Sequence, residues 1–293
     1  MQVVSISSLK GGVGKTSVTL GLASAALAAG IPTLVIDLDP HADATTGLGV
    51  RPGGQLDIGR MLKNPRKADL TRQVQPSGWL EHVPPGTEAA AQRPSSRRGA
   101  GHRADARATS TVLDVAVGSA YSGIFDRPDL GRRDLRRLSA VLAGLTRNTQ
   151  VIGGKPDYEL VLIDCPPSLN GLTRIAWTAS DKVLLVAEPG LFSVAGTERT
   201  LRAIELFRNE FAPKLSAAGI VANRVRQSSA EHDYRLDEMA TMFGSLLLTP
   251  TIAEQANWQQ IQGAARAVHH WPGDAAKTAA AGFDALLQQI LGR

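Results

Sequence analysis

The sequence predicts a single α/β domain, a parallel twisted sheet with helices on both faces. Three observations lead there. A short apolar strand runs into a glycine-rich turn, a long helix and a second apolar strand, the βαβ order of a parallel sheet with a right-handed crossover. Three later runs are continuously apolar, as strands buried on both faces are. Each of these is followed by a loop and a helical pattern, so strands and helices alternate along the chain.

The first strand is Val3-Val4-Ser5-Ile6-Ser7. An alanine-rich helix is expected over residues 15–29, closed by Gly30 and Pro32, since glycine ends a helix and the proline cannot continue it. The second strand is Thr33-Leu34-Val35-Ile36-Asp37. The later strands are expected at residues 160–163, 183–186 and 220–222. Between residues 92 and 129 the pattern lapses, and the run from Arg93 to Arg103 has no large apolar residue. That composition reads as a flexible basic insertion inside one domain spanning residues 1–293. Helical periodicity resumes over about residues 132–149. The last helix carries Phe283, Leu286, Leu287, Ile290 and Leu291 on one face, a stripe expected to pack on the core.

Composition limits the function. With 43% hydrophobic and 20% charged residues the chain is an ordinary globular protein. No run approaches the ~18 apolar residues of a membrane span, and no signal peptide is visible, so a cytoplasmic protein without a membrane partner is expected. One cysteine, Cys165, supports neither an internal disulfide nor a cysteine-based metal site. The net charge is +5, yet residues 51–137 hold 16 Lys+Arg against 9 Asp+Glu. The basic excess therefore sits in one segment. It suits an anionic partner such as nucleic acid, and equally a solubilising insertion.

The strongest motif is Lys10-Gly11-Gly12-Val13-Gly14-Lys15-Thr16, between a strand and a helix. Glycines let backbone N–H groups curl around phosphate oxygens. The helix N-terminus adds partial positive charge. Lys15 supplies a full charge, and the hydroxyl of Thr16 can ligate Mg²⁺, with Ser17 next in the cradle. Leu9 stands where the generic loop has glycine, and a second lysine, Lys10, opens the loop instead.

With that extra lysine the loop resembles the deviant Walker A motif of the ParA/MinD family of P-loop ATPases. The resemblance implies ATP and Mg²⁺ as cofactors. It also implies that Lys10 reaches the partner's nucleotide across a homodimer. Asp37-Leu38-Asp39-Pro40-His41 resembles the family's D-x-D-P-Q, which gives Asp39 the positioning of the attacking water. His41 replaces the usual glutamine and Asp43 the usual asparagine. Ile163-Asp164-Cys165-Pro166-Pro167-Ser168 matches the Walker B and switch segment, where Asp164 holds Mg²⁺ through a water. Asn223 stands where MinD-like relatives read adenine, with the loop after Pro250 closing over the base; it is equally a strand-end turn former.

Within the family the chain is most similar to ParA-type partition ATPases. That implies an ATP-bound dimer on non-specific double-stranded DNA, nucleoid association, and a ParB-like adaptor protein that triggers hydrolysis. Arg202, Arg208, Arg224 and Arg226 are the candidate DNA contacts, each equally readable as a surface arginine. The alternatives are a positioning ATPase for a protein cargo and, from another class, a P-loop amidoligase of small acids.

Overall fold

The computed structural model describes residues 1–52, 56–82, 112–147 and 157–292. Strand β1 (Gln2–Ser7) leads into helix α1 (Lys15–Ala28), and β2 (Thr33–Asp37) follows. Short helices α2 (Asp43–Gly47), α3 (Ile58–Lys63) and α4 (Leu70–Gln73) precede the two-residue strand β3 (Gln75–Pro76). Then come β4 (Leu113–Ala116), α5 (Arg132–Leu135) and α6 (Arg137–Arg147). The second half runs β5 (Leu160–Asp164), α7 (Gly171–Ala179), β6 (Lys182–Ala187), α8 (Leu191–Glu210) and β7 (Ser216–Ala222). Helices α9 (Ala230–Phe243), α10 (Trp258–Gly263) and α11 (Asp274–Leu291) complete the chain.

Among the described residues the strands form one seven-stranded sheet in the order β3-β4-β2-β5-β1-β6-β7. All pairings are parallel except β3 with β4. β5 lies between β1 and β2, so the first crossover skips a position and the later chain fills it. Continuous apolar strands are required because both faces are covered. Leu160 and Leu162 of β5 pack on one side with α1 and α11, while Val161 and Ile163 pack on the other with α6, α7 and α8. The stripe on α11 behaves as expected: Phe283, Leu286, Leu287 and Ile290 are buried and Leu291 is half-buried.

The sequence reading of residues 92–129 needs correction at its C-terminal end. Residues 113–116 form β4, paired to β2, and residues 120–125 form a 3₁₀ helix. Four residues are too few for a periodicity to register, and the polar Asp114 interrupts the run. The Arg-rich run at 93–103 lies outside the described residues. The helix expected over 132–149 is broken at Arg136 into α5 and α6, and residues 148–149 also lie outside them. Among the described residues no helix is long and apolar enough to cross a membrane.

Candidate active site

The parallel strands end together, and the loops beyond their C-terminal ends make the cleft, as open α/β sheets require. The loop from β1 to α1 turns through Gly12 and Gly14, with φ of 78° and 90°. That left-handed backbone is open to glycine and strained for other residues. A Cβ on Gly12 would meet nothing within 4 Å, so space there is open. Lys15 is buried and its ammonium donates to the carbonyl of Lys10 at 3.4 Å. Burial lowers its pKa, and the carboxylates of Asp164 and Asp39 nearby oppose that shift.

Asp164 is fully buried at the end of β5, beside the C-terminal end of β2 through its register partner Asp37. Thr16 donates to its Oδ2 and Thr19 to its Oδ1, each at 2.8 Å. Burial pushes the Asp164 carboxyl up, and the two hydroxyl donors hold it down. Asp37, also buried, accepts from the backbone N–H and hydroxyl of Thr45, while its Oδ1 has no hydrogen-bond partner among the described residues. Burial first, and the charge of Asp164 second, raise the Asp37 carboxyl far above the ordinary range. Lys15 and two hydroxyls favour the charged form of Asp164, whereas the charge of Asp164 disfavours that of Asp37. A hard cation needs an ionised oxygen beside a hydroxyl on an open cleft, and Thr16 with Asp164 fits that donor set.

Asp39 lies beyond the end of β2 and does not cap α2, whose N-cap is Ala42. Both the backbone N–H and the Nδ1 of His41 meet a single oxygen of Asp39, at 3.0 and 2.9 Å. Among the described residues no donor meets its second oxygen. Lys10 turns outward: its ammonium is 3.8 Å from Glu188, and its side chain is 45% exposed. Cys165 is buried and burial pushes its thiol up to about 12, so it is an inert packed residue.

At the end of β7, Asn223 donates its amide N–H to the carbonyl of Val13 at 2.8 Å. Arg224 donates to the carbonyl of Gly12 at 2.9 Å. The segment after Pro250 runs beside β7, with Ile252 N–H to Ala222 and Glu254 N–H to Val225. Pro250 itself packs toward Gly282 of α11, so the residues brought to Asn223 are 252–254. Glu254 pairs with Arg226 at 2.8 Å and reaches Arg224 at 3.9 Å. Arg202 pairs with Glu198 along α8, and Arg208 is exposed on the same helix. Ser17 accepts from the amide of Gln262.

Sequence reasoning missed Thr19, Glu188 and Glu254. Thr19 was within reach of it: three residues after Thr16 on a helix, it shares the face turned to Asp164.

The chromosome partitioning protein ParA of Caulobacter vibrioides is 29% identical to the chain over 246 residues, 83% of this chain and 77% of that one. A variant of Cyanothece McdA in complex with ATP superposes with a TM-score of 0.72 at 17% identity, covering 100% of this chain and 96% of that one. Cobyrinic acid a,c-diamide synthase from Mycobacterium smegmatis, with bound ADP and magnesium, gives 0.69 at 19% identity over 100% and 97% of the two chains. At such identities these structures share the fold. The model of the CobQ/CobB/MinD/ParA nucleotide-binding domain matches residues 4–257, and the chain belongs to that family.

Proposed function

We propose that the chain is a ParA-type partition ATPase. With ATP and Mg²⁺ in the loop it closes as a homodimer and binds double-stranded DNA without sequence preference. A ParB-like adaptor stimulates hydrolysis and releases it, in the cytoplasm and on the nucleoid. The observation that carries this reading is the outward Lys10, held by Glu188 while Lys15 alone turns into its own loop. An ammonium at the mouth of the cleft that is not committed to its own loop suits a second nucleotide brought face to face.

The loop from Gly11 to Thr16 offers backbone N–H groups and the Lys15 charge to the phosphates. Thr16 and Asp164 would hold Mg²⁺, which when bound would neutralise charge on the phosphates. Asp39 orients the attacking water with the oxygen that His41 leaves free. Asn223 and the segment after Pro250 form the base end of the site.

The test is co-sedimentation with DNA in the presence of ATP, of ADP and of neither, together with Lys15→Ala and Asp39→Ala. Lys15→Ala should lose nucleotide binding; undiminished affinity removes the site. Asp39→Ala should bind ATP and stay on DNA without turnover; normal hydrolysis removes its role. DNA binding indifferent to nucleotide removes the switch.

A further inference from the structure

Among the described residues, several cations of the basic segment 51–137 gather at one place in the fold. Arg137, at the start of α6, donates to the carbonyls of Leu62 and Lys63 at 2.9 and 3.3 Å and pairs with Asp134 at 2.5 Å. This clip fixes the end of α3 against the beginning of α6. Farther along, the carbonyl of Ala68 lies 3.9 Å from where a Cβ on Gly144 would sit, so residues 64–68 run beside α6. Lys63, Arg66, Lys67, Arg133 and Arg136 therefore share one edge of the domain, and all five are exposed.

The carboxylates on this edge are already committed. Asp57 takes Arg60, Asp69 takes Arg72 and Asp134 takes Arg137. Among the described residues none of the five remaining cations has a carboxylate within ion-pair distance; Lys63 rests only over the ring of Tyr121, which it shares with Arg60. The opposite holds at the other edge of the sheet, by β6 and β7. There Arg202 is paired to Glu198, Arg224 and Arg226 share Glu254, and Arg208 alone of the four sequence candidates has no such partner among the described residues.

We infer that Lys63, Arg66, Lys67, Arg133 and Arg136 form the surface on which the phosphate backbone of a DNA duplex docks, with α8 secondary. This rests on the proposed DNA-binding function and names its face. Cations without carboxylates release counterions from DNA on contact, whereas an arginine already in an ion pair must first give up that partner.

The test is titration of a fluorescein-labelled random-sequence duplex by the full chain with ATP and Mg²⁺, over a series of salt concentrations. Arg66→Ala/Lys67→Ala/Arg133→Ala/Arg136→Ala should lose at least ~10-fold in affinity at moderate salt, and its slope of log affinity against log salt should shrink by up to ~3.6. Its binding of a fluorescent ATP analogue should equal that of the unmutated chain, which removes misfolding as the cause. Arg202→Ala/Arg208→Ala should stay within about twofold of the unmutated chain on the same slope scale. An unchanged slope in the quadruple variant, with loss in the Arg202/Arg208 variant, overturns the surface and leaves the DNA function standing. No ATP-dependent duplex binding by the unmutated chain overturns both. Polyglutamate bound as tightly as the duplex, with the same salt slope, overturns the choice of nucleic acid.

Discussion

The guanidinium of Arg224 donates to the carbonyl of Gly12 across 2.9 Å, and its neighbour Asn223 donates to the next carbonyl, Val13, across 2.8 Å. Two consecutive residues at the end of β7 thus hold two consecutive residues of the phosphate loop. The fit is close: a Cβ on Gly14 would lie 2.3 Å from the Asn223 amide. The loop's conformation is therefore set partly from outside, by the strand end that also neighbours residues 252–254.

Arg224→Ala removes one charged donor from the loop. A hydrogen bond to a charged group is worth about 1.5–3 kcal/mol, less at an exposed side chain such as this one. We expect nucleotide affinity to fall about fivefold, since ~1 kcal/mol is a factor of that size. Equilibrium binding of a fluorescent ATP analogue measures it. An unaltered affinity would make the contact incidental.

The fold was legible wherever chemistry forces a pattern. β1, β2, β5 and β6 are buried on both faces, so their interiors are apolar apart from the small Ser5 of β1. The motifs singled out Lys15, Thr16, Asp39 and Asp164, and the structure gathers them at the start of α1 and the ends of β2 and β5. β4 was not: at four residues with Asp114 inside, it is a strand only because β2 and β3 pair with it. Nor was the commitment of Arg224, because an arginine after a strand reads the same whether it faces solvent or a loop carbonyl seen only in three dimensions.

His41 should give the proposed hydrolysis a pH dependence. Its ring is 81% exposed, and its hydrogen bond to Asp39, then the charge of Asp39, raise its pKa. The nearby Asp43 raises it further. The imidazolium thus persists to a higher pH than for a free histidine, and while it persists it draws on the carboxylate proposed to orient water. The turnover number should rise as pH climbs through that raised pKa. His41→Gln should abolish this limb while leaving nucleotide affinity alone, and a parallel limb in the variant would assign it to another group.

Gly21 in α1 faces Phe283 in α11, and a Cβ there would lie 2.3 Å from the ring. Two effects of Gly21→Ala compete. Helix propensity favours alanine by about 1 kcal/mol. Overpacking a buried ring costs about 1–3 kcal/mol, and Phe283 has no room to retreat at 1% exposure. Overpacking should win, so urea denaturation should show a net loss of up to about 2 kcal/mol. Gly21→Ala/Phe283→Leu should recover part of it; a stabilised single variant would show that the ring can shift.

Lys10 separates a dimeric switch from an enzyme that works alone. Lys15 already serves its own loop, and Lys10 stands outside it, 3.8 Å from Glu188. Two triphosphates face to face carry several negative charges each, and their repulsion opposes closure. An ammonium from each subunit on the other's phosphates offsets that repulsion and can stabilise the transferring phosphoryl group, as a trans arginine finger does. Lys10→Ala should therefore bind ATP as a monomer, and should neither dimerise nor hydrolyse it. Glu188→Gln tests the same role from the other side: freed from its carboxylate, Lys10 should dimerise the chain at lower ATP concentration. Light scattering with ATP reads both variants. A normal ATP-dependent dimer in Lys10→Ala would leave Lys10 a surface lysine paired with Glu188.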